Sequence, residues 1–100
     1  MALAESLGLE PTLFLEAIKG GATDSAYAQT KGAAMAGRAW DEPAFALDSV
    51  VKDLGLMVDA ARGSGFPDQL LASLLGLYDR ASGRGFGGAD MAAVRTAFDH

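Results

Sequence analysis

The side chains best suited to chemistry lie near the middle of the chain, where Lys52 and Asp53 follow an Asp48-Ser49 pair. An ammonium and a carboxylate side by side can bind a charged substrate or cofactor. Lys52 also stands four residues after Asp48, which is the spacing of an ion pair on the solvent side of a helix, worth about 0.3–0.5 kcal/mol. On spacing alone, the surface pair is the favoured interpretation.

The run Leu47-Asp48-Ser49-Val50 has a second interpretation, because it resembles the Asp-Ser-Leu site at which carrier proteins accept a phosphopantetheine arm. Asp and Ser are also common helix N-cap residues, since their side-chain oxygens accept hydrogen bonds from the first backbone amides. The N-cap role is favoured, because the sequence around this run does not otherwise look like a carrier protein.

A glycine-rich segment, residues 83–88, matches the letters G-x-G-x-x-G of the dinucleotide-binding fingerprint. That fingerprint requires a buried strand before it, a helix after it and an acidic residue about 20 positions later. A leucine-rich helical pattern precedes residues 83–88 and only twelve residues follow them. The segment is therefore predicted to be a loop that connects two helices.

Composition excludes several classes of site and partner. The chain has no cysteine and a single histidine, His100, so a thiolate metal site, a cysteine nucleophile and a histidine cluster are all excluded. The formal net charge of −5 gives no attraction for nucleic acid or for anionic lipid. No apolar stretch approaches the length of a membrane span. We expect a cytoplasmic protein that binds neither nucleic acid nor membrane and holds no metal.

The elements that position these residues are predicted to be helices. Val50, Leu54, Met57 and Ala61 recur at helical spacing, which predicts an amphipathic central helix that is the most buried of the fold. A second helix should open at Pro67 and end near Gly83. One side of it carries five large residues: Leu70, Leu71, Leu74, Leu75 and Tyr78.

Shorter helices complete the prediction. One runs from Pro11 to the Gly20-Gly21 pair, the next begins at an N-cap provided by Asp24 or Ser25, and a break follows at residues 41–43. The last helix covers residues 90–98, and residues 2–7 look like the end of a helix. The fold class is all-α: a compact bundle of five to six helices, in which residues 1–100 form a single helical domain, expected to be the C-terminal fragment of a larger two-domain enzyme.

Several segments in order resemble the C-terminal domain of the β-hydroxyacid dehydrogenases, the family of 3-hydroxyisobutyrate dehydrogenase, tartronate semialdehyde reductase and 6-phosphogluconate dehydrogenase. The resembling segments are Ala2-Leu3-Ala4-Glu5-Ser6-Leu7-Gly8-Leu9, Lys19-Gly20-Gly21, Ser25, Lys31-Gly32, Met35, Pro43, Phe45-Ala46-Leu47, Lys52-Asp53-Leu54, Gly65 with Pro67, and Asp90-Met91-Ala92-Ala93-Val94. The resemblance implies an all-α fold like the 6-phosphogluconate dehydrogenase C-terminal domain.

The resemblance also implies roles for individual residues. Lys52 would contact the nicotinamide cofactor, NAD or NADP, while Asp53, Phe45 and Ser25 would belong to the substrate pocket. In the sequences of that family, the nucleotide-binding (Rossmann) domain and the catalytic lysine precede the C-terminal domain that this chain resembles. The chain alone is therefore expected to bind no cofactor tightly and to catalyse no hydride transfer.

The expected partners are an N-terminal nucleotide-binding domain, a second copy in a homodimer and, in the intact enzyme, a small 3-hydroxy acid. A stand-alone helical interaction module is the alternative that remains open.

Overall fold

The computed structural model describes residues 1–100 and contains helices joined by loops, with one isolated antiparallel β-bridge between Ala46 and Asp90. The all-α prediction is confirmed. Five α-helices, a π-helical turn and a 3₁₀ helix follow one another: α1 (Ala2–Ser6), α2 (Thr12–Ile18), α3 (Ala26–Gly37), α4 (Leu47–Ser64), α5 (Gln69–Ala81), the π-helical turn (Ser82–Phe86) and the C-terminal 3₁₀ helix (Met91–Phe98). None of the helices is long and apolar enough to cross a membrane.

Helix α4 is the centre of the fold and packs against α5, the π-helical turn and the 3₁₀ helix. Its buried residues are Leu47, Leu54, Val58 and Ala61. The predicted stripe is partly wrong, since Met57 is 51% exposed. Met57 precedes the buried Val58 by one residue, and the helical turn of about 100° per residue carries it away from the face formed by Leu54, Val58 and Ala61.

The start of α4 also differs from the prediction, because neither Asp48 nor Ser49 caps the helix through its side chain. The amide of Leu47 donates to the carbonyl of Ala89 and that of Asp48 donates to the carbonyl of Gly87, both at 2.9 Å. A neighbouring loop thus supplies the acceptors that an N-cap side chain would otherwise provide.

Helix α5 begins two residues later than predicted, at Gln69, and Pro67 lies before its N-cap Asp68. Its predicted apolar side is only partly covered. Leu70, in the first turn, is largely exposed, whereas Leu71 and Tyr78 are partly buried. Contacts with α4, the π-helical turn and the 3₁₀ helix cover part of α5.

Helices α2 and α3 form a pair at the other side of the fold. Of the two predicted candidates, Asp24 and Ser25, Ser25 is the N-cap of α3, and its hydroxyl accepts the amide of Ala28 at 2.9 Å. Gly20 ends the preceding turn at φ 75°, a conformation that glycine adopts readily. Gly32 faces Leu15 so closely that a Cβ placed there would lie 2.4 Å from Leu15 Cδ2.

The 3₁₀ helix closes the core with small side chains. Ala92, Ala93 and Ala97 are buried, and Ala93 joins Trp40 and Leu47 in the central apolar cluster. Alanines let the backbone of this segment approach α4 and α5 closely. Phe98 is about half exposed, because the alanine side of the helix faces the core.

Candidate functional site

Lys52 and Asp53 lie on the outer side of α4, opposite its buried face, and both are exposed. The surface pair favoured by the spacing is not formed, because the Asp48 carboxylate accepts the hydroxyl of Ser82 at 2.6 Å and makes no ion pair with Lys52. Neither Lys52 nor Asp53 takes part in an ion pair or in a side-chain hydrogen bond of the structure. Both charged groups are therefore available to a ligand.

Phe45 lies two residues before α4, and its side chain is 45% exposed. Its backbone is hydrogen-bonded through both its amide and its carbonyl. The amide donates to Asp90 Oδ1 at 3.2 Å, and the carbonyl accepts the amide of Met91 at 2.8 Å. An exposed aromatic ring on a fixed backbone is a suitable wall for a pocket.

The group that holds this loop is the carboxylate of Asp90, which is 4% exposed. Lys31 Nζ lies 2.9 Å from each carboxylate oxygen, and the amides of Ala44 and Ala92 donate to it at 2.9 and 3.0 Å. Burial disfavours the charged form, but the hydrogen bonds from Lys31 and from the backbone outweigh it and lower the pKa of Asp90 to about 2. Asp90 is thus ionised at neutral pH and fully partnered.

Lys31 and Asp90 are the residues of the site that sequence reasoning missed as a pair. They stand 59 positions apart, and no helical or strand period connects them. Asp90 carried one signal, as a residue of N-cap type before the last helix, and its side chain does accept the amide of Ala92. Nothing in the sequence marked Lys31 as its partner.

Two tyrosines surround this ion pair. Lys31 Nζ lies 5.7 Å from the ring centroid of Tyr27, and the Tyr27 hydroxyl donates to the sulfur of Met91 at 2.9 Å. Tyr78 is half-buried nearby, and its burial, followed by the charges of Tyr27 and Asp90, raises the pKa of its hydroxyl. The phenol of Tyr78 therefore stays protonated at neutral pH.

Ser25 lies apart from the other three predicted site residues, at the beginning of α3. Its hydroxyl accepts the amide of Ala28, and its own amide donates to Asp24. The Gly20 amide, with help from Gln29 and from Ser25, lowers the pKa of Asp24. The structure therefore brings Phe45, Lys52 and Asp53 onto one stretch around the start of α4, while Ser25 makes no contact with them and is engaged in capping.

The glycine-rich segment is a connection between helices, as predicted. It continues α5 through the π-helical turn, which contains Gly85 at φ 98°, and no strand precedes it. Gly87 is buried against Asp48, whose carboxylate would lie 2.2 Å from an added Cβ. These glycines allow close packing on the start of α4 and do not form a nucleotide-binding turn.

An unpaired ammonium and an unpaired carboxylate thus occupy adjacent positions of α4, and an exposed aromatic residue lies two residues before that helix. Lys52 can donate three hydrogen bonds and Asp53 can accept several. The structure has no group of three or more His, Asp or Glu side chains arranged to hold a metal ion.

Comparison with known proteins gives a consistent result. A family model described as "NAD-binding of NADP-dependent 3-hydroxyisobutyrate dehydrogenase" matches residues 1–98. An L-threonate dehydrogenase of Cupriavidus necator is 45% identical over 56 residues, which are 56% of this chain and 19% of that protein. A probable 3-hydroxyisobutyrate dehydrogenase-like 2, mitochondrial, of Arabidopsis thaliana is 43% identical over 61 residues, 61% of this chain and 20% of that protein.

Among solved structures, the fold is similar to that of 3-hydroxyisobutyrate dehydrogenase from Salmonella typhimurium, with a TM-score of 0.84 and 29% identity. The match covers 95% of this chain and 33% of that chain. The chain therefore spans about a third of the solved structure and about a fifth of the curated relatives that it matches.

Proposed function

Because this chain belongs to the NAD-binding 3-hydroxyisobutyrate dehydrogenase family, within the β-hydroxyacid dehydrogenases, we propose that it is the helical domain that completes the substrate cleft of such an enzyme. The partner is a nucleotide-binding domain, and the complete enzyme is a cytoplasmic homodimer. It transfers hydride between NAD or NADP and a small 3-hydroxy acid. The observation that carries the proposal is the exposed, unpaired Lys52-Asp53 dipeptide on the helix that begins two residues after Phe45, whose backbone amide donates to Asp90.

The residues present fit one end of a nicotinamide cofactor. When bound, the cofactor supplies the hydride acceptor. Lys52 has no ion-pair partner within the chain, so its ammonium is free to hydrogen-bond the cofactor. The glycine-rich residues 83–88 are occupied in helix packing, so the pyrophosphate must be held by the nucleotide-binding domain.

The remaining residues orient the substrate. Phe45 walls the pocket with its exposed ring and excludes water from one side of the hydroxy acid. Asp53 accepts a hydrogen bond at the cleft and supports the catalytic lysine that the other domain supplies. We assign Ser25 the weakest role, a contact at the edge of the pocket, because its hydroxyl already accepts the amide of Ala28.

The test uses the complete enzyme, formed by joining this chain to the nucleotide-binding domain of a related dehydrogenase. Lys52→Met and Asp53→Asn each remove a charge-assisted hydrogen bond of about 1.5–3 kcal/mol. We expect kcat/KM to fall about ten- to a hundredfold, at 1.4 kcal/mol per factor of ten. NADH affinity, followed by fluorescence, should fall in Lys52→Met. The urea midpoint should change little, because both side chains are exposed and unpaired.

The matched control is Asp59→Asn, an exposed carboxylate on the same helix without an ion-pair partner, which should leave kcat/KM unchanged. Unchanged kinetics in both site variants would make Lys52 and Asp53 ordinary surface residues. A complete wild-type protein that transfers no hydride from any small hydroxy acid to NAD or NADP would favour a helical interaction module instead.

A further inference from the structure

The loop between α3 and α4, residues 38–46, contains no helix and carries the exposed Phe45 near its end. Residues 90–91 hydrogen-bond both amides and a carbonyl at the end of this loop. The Asp90 carboxylate accepts the amides of Ala44 and Phe45, and the Met91 amide donates to the carbonyl of Phe45. The amide of Asp90 also donates to the carbonyl of Trp40 at 2.7 Å. The loop therefore takes its conformation from residues 90–91.

We propose that the Lys31–Asp90 ion pair is the positioning unit for the Phe45 wall of the substrate pocket. The proposal rests on the proposed function, because it assigns the pair a purpose in that site. Neither Lys31 nor Asp90 touches the substrate. They act through the backbone of Phe45, and Lys31 orients the carboxylate by holding both of its oxygens at 2.9 Å.

Two observations distinguish positioning from a general contribution to stability. Phe45 is 45% exposed, so packing covers only part of it, whereas its backbone amide and carbonyl are both hydrogen-bonded to residues 90–91 and fix the point from which the ring projects. The carboxylate could have been satisfied by Lys31 and the amide of Ala92, but Oδ1 also accepts the amides of Ala44 and Phe45. An ion pair needed only to join α3 to the 3₁₀ helix would not require these two bonds.

The first experiment measures amide hydrogen exchange in the 100-residue chain by NMR. In Asp90→Asn, the neutral side chain accepts weaker hydrogen bonds than the carboxylate. We expect the amides of Ala44 and Phe45 to exchange about tenfold faster or more, relative to the amide of Leu54 inside α4. Lys31→Met should shift the same two amides in the same direction. If Asp90→Asn fails to fold, Lys31→Met decides the question.

The matched control is Asp99→Asn. Asp99 also accepts hydrogen bonds from two charged side chains, Arg38 and Arg95, but it makes no contact with Ala44 or Phe45. The relative exchange rates at Ala44 and Phe45 should stay at the wild-type value in this variant. Equal effects of Asp90→Asn and Asp99→Asn at these amides would overturn the proposal, because the pair would then act only through global stability.

The second experiment measures steady-state kinetics in the complete enzyme. A displaced pocket wall weakens substrate binding more than the chemical step, so Asp90→Asn should raise KM for the hydroxy acid about tenfold and change kcat by less than about threefold. Asp99→Asn should change neither constant. An unchanged KM in Asp90→Asn would also overturn the proposal. An inactive wild-type enzyme would instead refute the proposed function, and the exchange experiment would still decide whether Asp90 fixes Phe45.

Discussion

The pH dependence of stability should reveal the Asp90 carboxylate directly. Its pKa falls from 3.8 to about 2 in the folded protein, a difference that corresponds to about 2 kcal/mol at 1.36 kcal/mol per pH unit. A carboxylate with a lowered folded-state pKa stabilises the fold at pH values above its unfolded pKa. That contribution is lost as pH falls from about 5 toward about 2, and about 1 kcal/mol remains near pH 3.

The assay compares urea unfolding of the wild-type chain and of Asp90→Asn between pH 7 and pH 2. The variant should be less stable by about 2 kcal/mol at pH 7, and the difference should shrink to less than about 0.5 kcal/mol near pH 2, where the wild-type carboxylate is half protonated. Asp99, whose pKa is also lowered to about 2, titrates in both proteins and therefore cancels in the difference. A difference that stays constant from pH 7 to pH 2 would refute the reasoning.

Two further predictions concern packing and assembly. Gly32→Ala should destabilise the chain by about 1 kcal/mol in urea unfolding, because the added Cβ meets Leu15 at 2.4 Å and the cost of overpacking exceeds the gain in helix propensity. The control is Gly37→Ala, in the same helix with open space around it, which should be neutral or slightly stabilising. An apolar groove of about 420 Å³ beside α1 and α2 is the surface that we expect to form the dimer contact. In sedimentation measurements, Phe14→Ser in this groove should convert the dimer to a monomer, whereas Leu56→Ser on α4 should leave it dimeric. A monomeric wild-type protein would contradict the dimer.

Local features of the fold were predictable from the sequence because each depends on few neighbouring residues. The N-cap at Ser25, the stop at Gly20 and the break at residues 41–43 all follow from side-chain or backbone preferences of single residues. The helical period also identified α4. Periodicity gave the direction of its buried face less accurately, since Met57 turned out to be exposed. The elements that pack against α4 decide that direction, and the sequence of α4 alone does not specify which elements those are.

The candidate site was predictable only where its residues are close in sequence. Phe45, Lys52 and Asp53 stand within nine positions of one another and lie around the start of one helix, as expected. The bond network that fixes Phe45 joins residues more than 40 positions apart, and neither period nor composition indicates it. Lys31 and Asp90 would each have passed as an ordinary surface charge in a single sequence.

The capping of α4 by the carbonyls of Gly87 and Ala89 has a consequence for anions near the site. A helix N-terminus normally attracts phosphate, because its free amides and its dipole both present positive charge. Here the amides of Leu47 and Asp48 already donate to carbonyls, and the Asp48 carboxylate adds a negative charge to the first turn. The first turn of α4 therefore presents no free amide from Leu47 or Asp48 to an anion, and Lys52, one turn further along, is an exposed cation without an ion-pair partner.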